Sequence, residues 1–446
     1  MSASTSTSRL VELSTTIAEK TSIINNYLSS KGLPPLSFEP DAPGQLPVAK
    51  NDEDGEGQKV RQARTELIAA TQELHDLAVG PKESVRYLAW DHNNTLSLHF
   101  IYHFKVAEAF RSDEEVTFSE LARRTGAPES ELKRLLRHAM TNRIFREPRK
   151  NHVVHTAASH LLASDLVLAS WIGLHCEDLF TPCAKTVDAV VKWPGSQEPS
   201  QTALAIAHDT EDNWFRILGK DPAKIKRFGL AMSSFSQGEG FEAENLVADY
   251  DWSQFGTEGT IVDVGGSIGF ISVAIAKQHP GLKFVVQDIE KVLAGDPSSN
   301  IPDELRSRIR FQVWDFLVSA QPVHGADAYF FRWIFHNWSD AYSIRILHNH
   351  IPALKPGARI VINDGVLPEP NTMTLHDEKL IRTVDLLMLT VINAREREVD
   401  DWKALFKQAD ERFKWVGAKQ SKRMWVIEAM WDPGNPEAGR EKNSDA

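Results

Sequence analysis

Hydrophobic positions recur at helical spacing over residues 8 to 30, where Leu10, Leu13, Ile17, Ile23, Ile24 and Leu28 predict one amphipathic helix. From Pro34 to Gly57 the rhythm stops, and a composition rich in Pro, Gly and acid predicts a loop or mobile linker. Helical spacing resumes from Gln58 to Val79. Between Val116 and Ala158 the runs TFSELARRTG, PESELKRLLRHAMTNRIF and REPRKNHVVHT predict helix, turn, helix and a short β-hairpin. Gly126 marks the turn and Pro128 opens the second helix, the plan of a winged helix. Residues 164–190 and 209–236 read as helical, separated by a Pro/Gly/Ser loop from Trp193 to Gln201.

After Gly256 the period changes. TIVDVG, KFVVQD, RIRFQVWD, DAYFFRW and ARIVIND are short apolar runs with helical segments between most of them. This alternation predicts an α/β fold, a parallel sheet covered by helices on both faces. KWVGAKQ and MWVIEAMW add two strand candidates before a polar tail from Asp432.

Composition narrows the picture only modestly. With 446 residues, 42% hydrophobic and 25% charged, the chain has material for two or three domains with a large core. A net charge of −11 argues against nucleic-acid binding by the chain as a whole. The segment Val116–Lys150 nevertheless holds nine Lys/Arg against four acids, so a DNA-binding regulator stands as one rival reading. The apolar stretches LSLHFIYHFKVAEAF and LVLASWIGLHCEDLF weigh against it, being suited to a dimer interface and an active-site floor. Cys176 and Cys183 form no disulfide framework and show no metal-type spacing. The polar N-terminus, the lack of any apolar run near the roughly 20 residues that span a bilayer, and the C-terminal residues make a cytoplasmic, membrane-free protein the expectation.

Candidate chemistry begins at Ile261–Phe270, where an apolar strand ends in Asp263, turns through Gly265, Gly266 and Gly269, and enters a helix. Glycine permits the tight turn and a close approach of ligand to backbone. The next strand ends in Asp288, 19 residues beyond Gly269, where an acid suits the two hydroxyls of a ribose. A dinucleotide fingerprint requires G-x-G-x-x-G, whereas this loop reads D-x-G-G-x-x-G. An acid at position 263 repels a pyrophosphate but welcomes the ammonium and sulfonium of S-adenosyl-L-methionine. Asp315 and Phe316 follow the third strand, where they can serve an adenine ring or simply cap the next turn. The fourth strand delivers Arg332 and then His336, and Ser339 or Asp340 can cap the helix that follows. A histidine just past the carboxyl end of a parallel strand is a natural base for a hydroxyl proton near neutral pH. Asp364, ending the next strand, and Glu396, in the charged turn ARERE, can orient that imidazole; the bland alternative for Glu396 is a solvated charge cluster.

The ordered set DVGG-x-x-G, an acid-ended second strand, WDF, RWIFHNWSD, IND-x-VLP and ARERE resembles the plant caffeate-type and fungal sterigmatocystin-type O-methyltransferases over roughly residues 85 to 430. The resemblance implies a Rossmann-like cofactor domain preceded by a mainly helical winged-helix dimerisation domain, and a homodimer. The implied boundaries are an N-terminal helix and linker at 1–60, the dimerisation domain at 61–163, a helical substrate-pocket linker at 164–250, the Rossmann-like domain at 251–432 and a disordered tail at 433–446. It also implies cofactor contacts from Asp263, Gly265, Gly266, Gly269, Asp288, Asp315, Phe316 and Arg332, with His336 as general base flanked by Asp364 and Glu396. Met232 and Met388 match positions that frame the acceptor, although methionine also serves as core filler. The expected reaction is in-line methyl transfer to a hydroxyl of a small aromatic or polyketide-like acceptor of secondary metabolism. It requires no metal. Two departures stand out: Asn337 replaces the usual acid after the histidine, and Asp364 is one methylene shorter than the glutamate of plant members. A relative that keeps fold and cofactor but runs a pericyclic or dehydration step is the second rival, opposed by the retention of His336, Asp364 and Glu396.

Overall fold

The computed structural model describes residues 8–48, 55–236, 238 and 240–434; the acidic stretch 49–54 and the expected tail beyond 434 lie outside the described residues. The chain separates into two compact units, one of Met1–Phe180, Pro222–Ser234 and Met373–Lys379, the other of Thr181–Asp221, Phe235–Thr372 and Leu380–Ala446.

In the first unit, helices Arg9–Ser30 and Glu56–Val79 pack through Ile24, Tyr27 and Leu28 against Val60 and Ala63. Leu46 and Val48, from the expected linker, pack against the same cluster. Strand β1 (Val116–Thr117) leads into helix Phe118–Thr125, whose first turn is capped by the Thr117 hydroxyl accepting from the Glu120 amide at 3.1 Å. Gly126 ends that helix at φ +72°, and Pro128 sits at the N-cap of helix Glu129–Thr141 rather than inside it. Leu121, Leu132, Leu136 and Ala139 form the buried seam. The hairpin expected at 146–156 forms through one bridge, Arg146 to Val154, and β2 (His152–Val153) also pairs antiparallel with β1. Several of the basic side chains here are paired with acids: Arg123 and Arg124 with Glu120, Arg137 with Glu147, Arg146 with Glu39 and Arg149 with Glu115. Beyond helix Leu166–Gly173 the chain widens into a π-helical turn, Leu174–Leu179, where the apolar pattern predicts plain helix.

The second unit is built on a seven-stranded sheet ordered β5-β4-β3-β6-β7-β9-β8. Its strands are β3 (Thr260–Val264), β4 (Lys283–Asp288), β5 (Ile309–Val313), β6 (Ala328–Arg332), β7 (Arg359–Asp364), β8 (Phe413–Ser421) and β9 (Met424–Trp431). Each lies on a predicted apolar run. Pairing is parallel from β5 to β7, and the closing hairpin β8–β9 joins antiparallel. Burial on both faces explains the continuous apolar runs: Tyr329 and Phe331 enter one core with Val262 and Ile360, while Phe330 enters the other with Ile261 and Val361. Strand order reverses at β3, with β4 on one side and β6 on the other. Open α/β sheets bind ligands beyond the carboxyl ends of strands at such a reversal.

Candidate active site

Backbone geometry shapes the first half of that edge. Leaving β3, the chain turns at Gly265 (φ +74°), and the Gly265 and Gly266 amides donate to the Gln287 carbonyl at 2.8 and 3.1 Å. A Cβ on Gly265 would lie 2.4 Å from Ile334, and one on Gly266 would strike the Asp263 carboxylate, so side chains are sterically refused at both positions. Gly269 (φ +78°) then opens helix Phe270–Gln278. Asp288, at the end of β4, accepts from the Ser267 amide at 3.0 Å and the Ile289 amide at 2.8 Å, which fixes its carboxylate beside the glycine turn. Asp263 is buried and accepts from the Ser272 hydroxyl at 2.6 Å. Burial pushes its pKa up to about 6, against the opposing effect of Ser272. Asp315 is exposed and accepts from the Leu317 amide at 2.9 Å, a turn cap; Phe316 packs edge-on against Trp338.

Buried charge shapes the second half. His336 follows β6 in a short turn, 8% exposed, and its Nδ1 lies 2.9 Å from Glu396 Oε1. A carboxylate only accepts, so Nδ1 carries the proton and Nε2 holds the basic lone pair. The His336 backbone amide donates to Asp364 Oδ2 at 3.1 Å. Burial alone would disfavour the imidazolium, but the charge and hydrogen bond of Glu396, with Asp364 behind, overcome it and raise the His336 pKa above its ordinary value. Asp364 is itself pushed up to about 6 by burial. The solvated reading of ARERE fails: Glu396 is 1% exposed. Trp333 adopts φ +55° at this turn, and the Asn337 side-chain Nδ2 donates back to its carbonyl at 2.8 Å. The aspartate usual at this position in the family it resembles has no such donor.

Arg332 is buried, donating to Asn363 Oδ1 and to the Phe241 carbonyl, and burial lowers its pKa to about 10 despite nearby Asp364 and Asp263. Four buried atoms along this edge, Arg332 Nε, Trp333 Nε1, Asp364 Oδ1 and Glu396 Oε2, have no hydrogen-bond partner among the described residues. Buried polar atoms without partners are rare and mark places where a ligand or water completes the structure.

Residues 198–411 match the O-methyltransferase domain family. The chain is 40% identical to a chlorophenol O-methyltransferase of Trichoderma longibrachiatum, covering 95% of this chain and 91% of that one. It is 38% identical to a grayanic acid biosynthesis cluster O-methyltransferase of Cladonia grayi, over 96% and 88% of the two chains. The chain belongs to the S-adenosylmethionine-dependent O-methyltransferase family. The crystal structure of OxaC in complex with SAH and oxaline has the same fold at TM-score 0.70 and 24% identity, covering 95% of this chain and all of that one.

In this O-methyltransferase the structure joins the His336 imidazole to Glu396 and the His336 backbone amide to Asp364, and gathers Asp263, Gly265, Gly266 and Asp288 around one turn. Met232 and Met388 lie half-buried in helices Pro222–Ser236 and Leu375–Ile392, in different units. Neither Ser339 nor Asp340 caps its helix through a side chain: the Ser339 hydroxyl donates to the Gln197 carbonyl, and Asp340 pairs with Arg397.

Sequence reasoning missed Arg397 and Asp385. Arg397 is fully buried and donates to the Phe335 and Trp338 carbonyls at 3.1 and 2.8 Å, to the Ser343 hydroxyl at 3.0 Å and to Asp340 at 2.9 Å. It thus clamps the turn that carries His336 from both ends. Asp385 accepts from the Glu396 amide at 2.8 Å. The only sequence trace of Arg397 is its place in a charge run, a pattern that ordinarily marks a solvated face.

Proposed function

We propose that this O-methyltransferase methylates a hydroxyl of a small aromatic or polyketide-like secondary metabolite, with His336 as general base. The observation that carries the reading is the buried Glu396–His336 pair, which commits Nδ1 to the carboxylate and leaves Nε2 to take a proton. Support for a phenolic acceptor comes from the chlorophenol O-methyltransferase relative, and for secondary metabolism from the grayanic acid cluster relative.

The residues present fit S-adenosyl-L-methionine. A glycine turn that refuses side chains stands beside the fixed Asp288 carboxylate, and Arg332 Nε lies among several acids without a partner. Asp263, Gly265, Gly266 and Gly269 would hold the methionine end, Asp288 the ribose, Asp315 and Phe316 the adenine, and Arg332 the rim between them. When bound, the cofactor supplies an electrophilic methyl on a sulfonium sulfur. His336 then draws the hydroxyl proton to Nε2 as the oxygen becomes nucleophilic, Glu396 steadies the imidazolium, and Asp364 holds the backbone beneath it. Burial excludes water that would compete for the base. Exposed Tyr87, Leu88 and Trp90 would supply apolar surface for a second copy.

Incubation with methyl-labelled cofactor and a panel of phenols tests the reading. Label on phenolic oxygen supports it; tight cofactor binding without transfer to any phenol favours the pericyclic or dehydration rival.

A further inference from the structure

A second cluster of ligating side chains lies in the first unit, on residues that the methyl-transfer chemistry does not use. Helix His92–His103 carries His99 and His103 four residues apart, so both imidazoles leave the same face. Opposite them the π-helical turn Leu174–Leu179 presents Glu177. Glu177 Oε1 lies 2.9 Å from His103 Nδ1 and 3.4 Å from His99 Nε2, and one ligand atom from each of the three lies within 4.8 Å of the other two.

The turn explains why this acid is available. Inserting one extra residue per turn rotates neighbouring side chains apart, and such turns concentrate at functional sites. Asp178 goes inward, where it is held by Arg227 and Lys224, while Glu177 goes outward to the histidines.

We propose that His99, His103 and Glu177 bind one divalent transition-metal ion of the zinc class. Two neutral imidazoles and one carboxylate are a zinc donor set, and metal–ligand bonds of about 2.0–2.2 Å place tetrahedral ligand atoms about 3.3 Å apart. The two separations from Glu177 Oε1, 2.9 and 3.4 Å, lie close to that value, and the two imidazole nitrogens lie within 4.8 Å of each other. The three side chains are 31%, 59% and 26% exposed, so water can fill the remaining position and the ion can enter from solvent. The donor set is too rich in nitrogen for calcium or magnesium, which take oxygen ligands. Bound there, the ion cross-links the helix to the π-helical turn within one unit.

Zn2+ titration of the full chain against a chromophoric chelator tests this, with Co2+ absorption reporting the coordination. One equivalent should bind, and a thermal scan should show a rise in Tm on adding Zn2+. The double variant H99A/H103A should lose both responses. Glu177→Gln should weaken Zn2+ binding about tenfold or more, since even outer-shell partners of a metal contribute that much. His336→Ala should keep both responses. Undiminished binding in the double variant, no binding by the unaltered chain at micromolar Zn2+, or loss of the equivalent in His336→Ala would each overturn the proposal.

Discussion

Residues 116–150 hold nine basic and four acidic side chains, and residues 394–398 hold four charges in five positions, yet the two runs meet opposite fates. In the first, Arg123 is 73% exposed and pairs with Glu120 three residues away on its own helix. A helix offers a partner one turn along, so such charges stay in water at almost no cost, and each pair adds little. In the second, the chain lies extended beside the continuation of β7 through the Val366–Arg397 bridge. Ala394, Glu396 and Arg397 are buried there, while Arg395 and Glu398 are exposed. Desolvating each ion costs several kcal/mol, which only a dedicated partner offsets. Glu396 finds His336, and Arg397 finds Asp340 and two carbonyls of the His336 turn. Charges held at that cost position something, whereas charges left in water mostly keep a surface soluble.

Substitutions break or sharpen this contrast. The largest effect belongs to His336→Ala, which should cut kcat by about 10²–10⁴-fold while calorimetry finds cofactor affinity nearly intact. Full turnover in that variant removes the base. Arg397→Met should follow: freeing the buried Phe335 and Trp338 carbonyls, with Asp340 still open to water and to Arg395, should lower the unfolding free energy by about 1–3 kcal/mol in urea titrations. A variant as stable as the parent would place Arg397 with the solvated run. Asp288→Ala should then weaken cofactor binding about 10- to 100-fold, since the carboxylate also braces the Ser267 amide of the turn. Unchanged affinity would discredit its ribose role. Smallest of all, Arg123→Ala should leave the Tm unmoved, and a clear drop would show that the basic run bears structural load after all.

Much of the second unit is legible along the chain because the central strands β3, β4, β6 and β7 are buried on both faces, so each reads as a largely apolar run. The glycine turn is legible for a related reason: Gly265 and Gly266 stand where a side chain would collide with Ile334 or Asp263. What escapes a linear reading depends on contacts far apart in sequence. Arg397 acquires its role from Phe335 and Trp338, some sixty residues earlier. Asp385 acquires its role only when Glu396 folds back beside it. The π-helical turn has no apolar period distinct from an ordinary helix, and the pairing of Val153 with Val116 joins residues 37 apart in sequence. Ser339 and Asp340 carry the chemistry of helix caps, but Gln197 and Arg397 claim them first.

The pH dependence of kcat/KM, measured for the unaltered enzyme and for Glu396→Gln, addresses the central claim most directly. A base acts unprotonated, and the raised His336 pKa means that activity is lost as pH falls through a value above 6.5. Removing the charge at position 396 withdraws the largest influence that favours the imidazolium, so the acidic limb should move to lower pH as the maximal rate falls. A limb that stays in place in Glu396→Gln, or one already at or below 6.5 in the unaltered enzyme, would contradict a Glu396-supported His336 base.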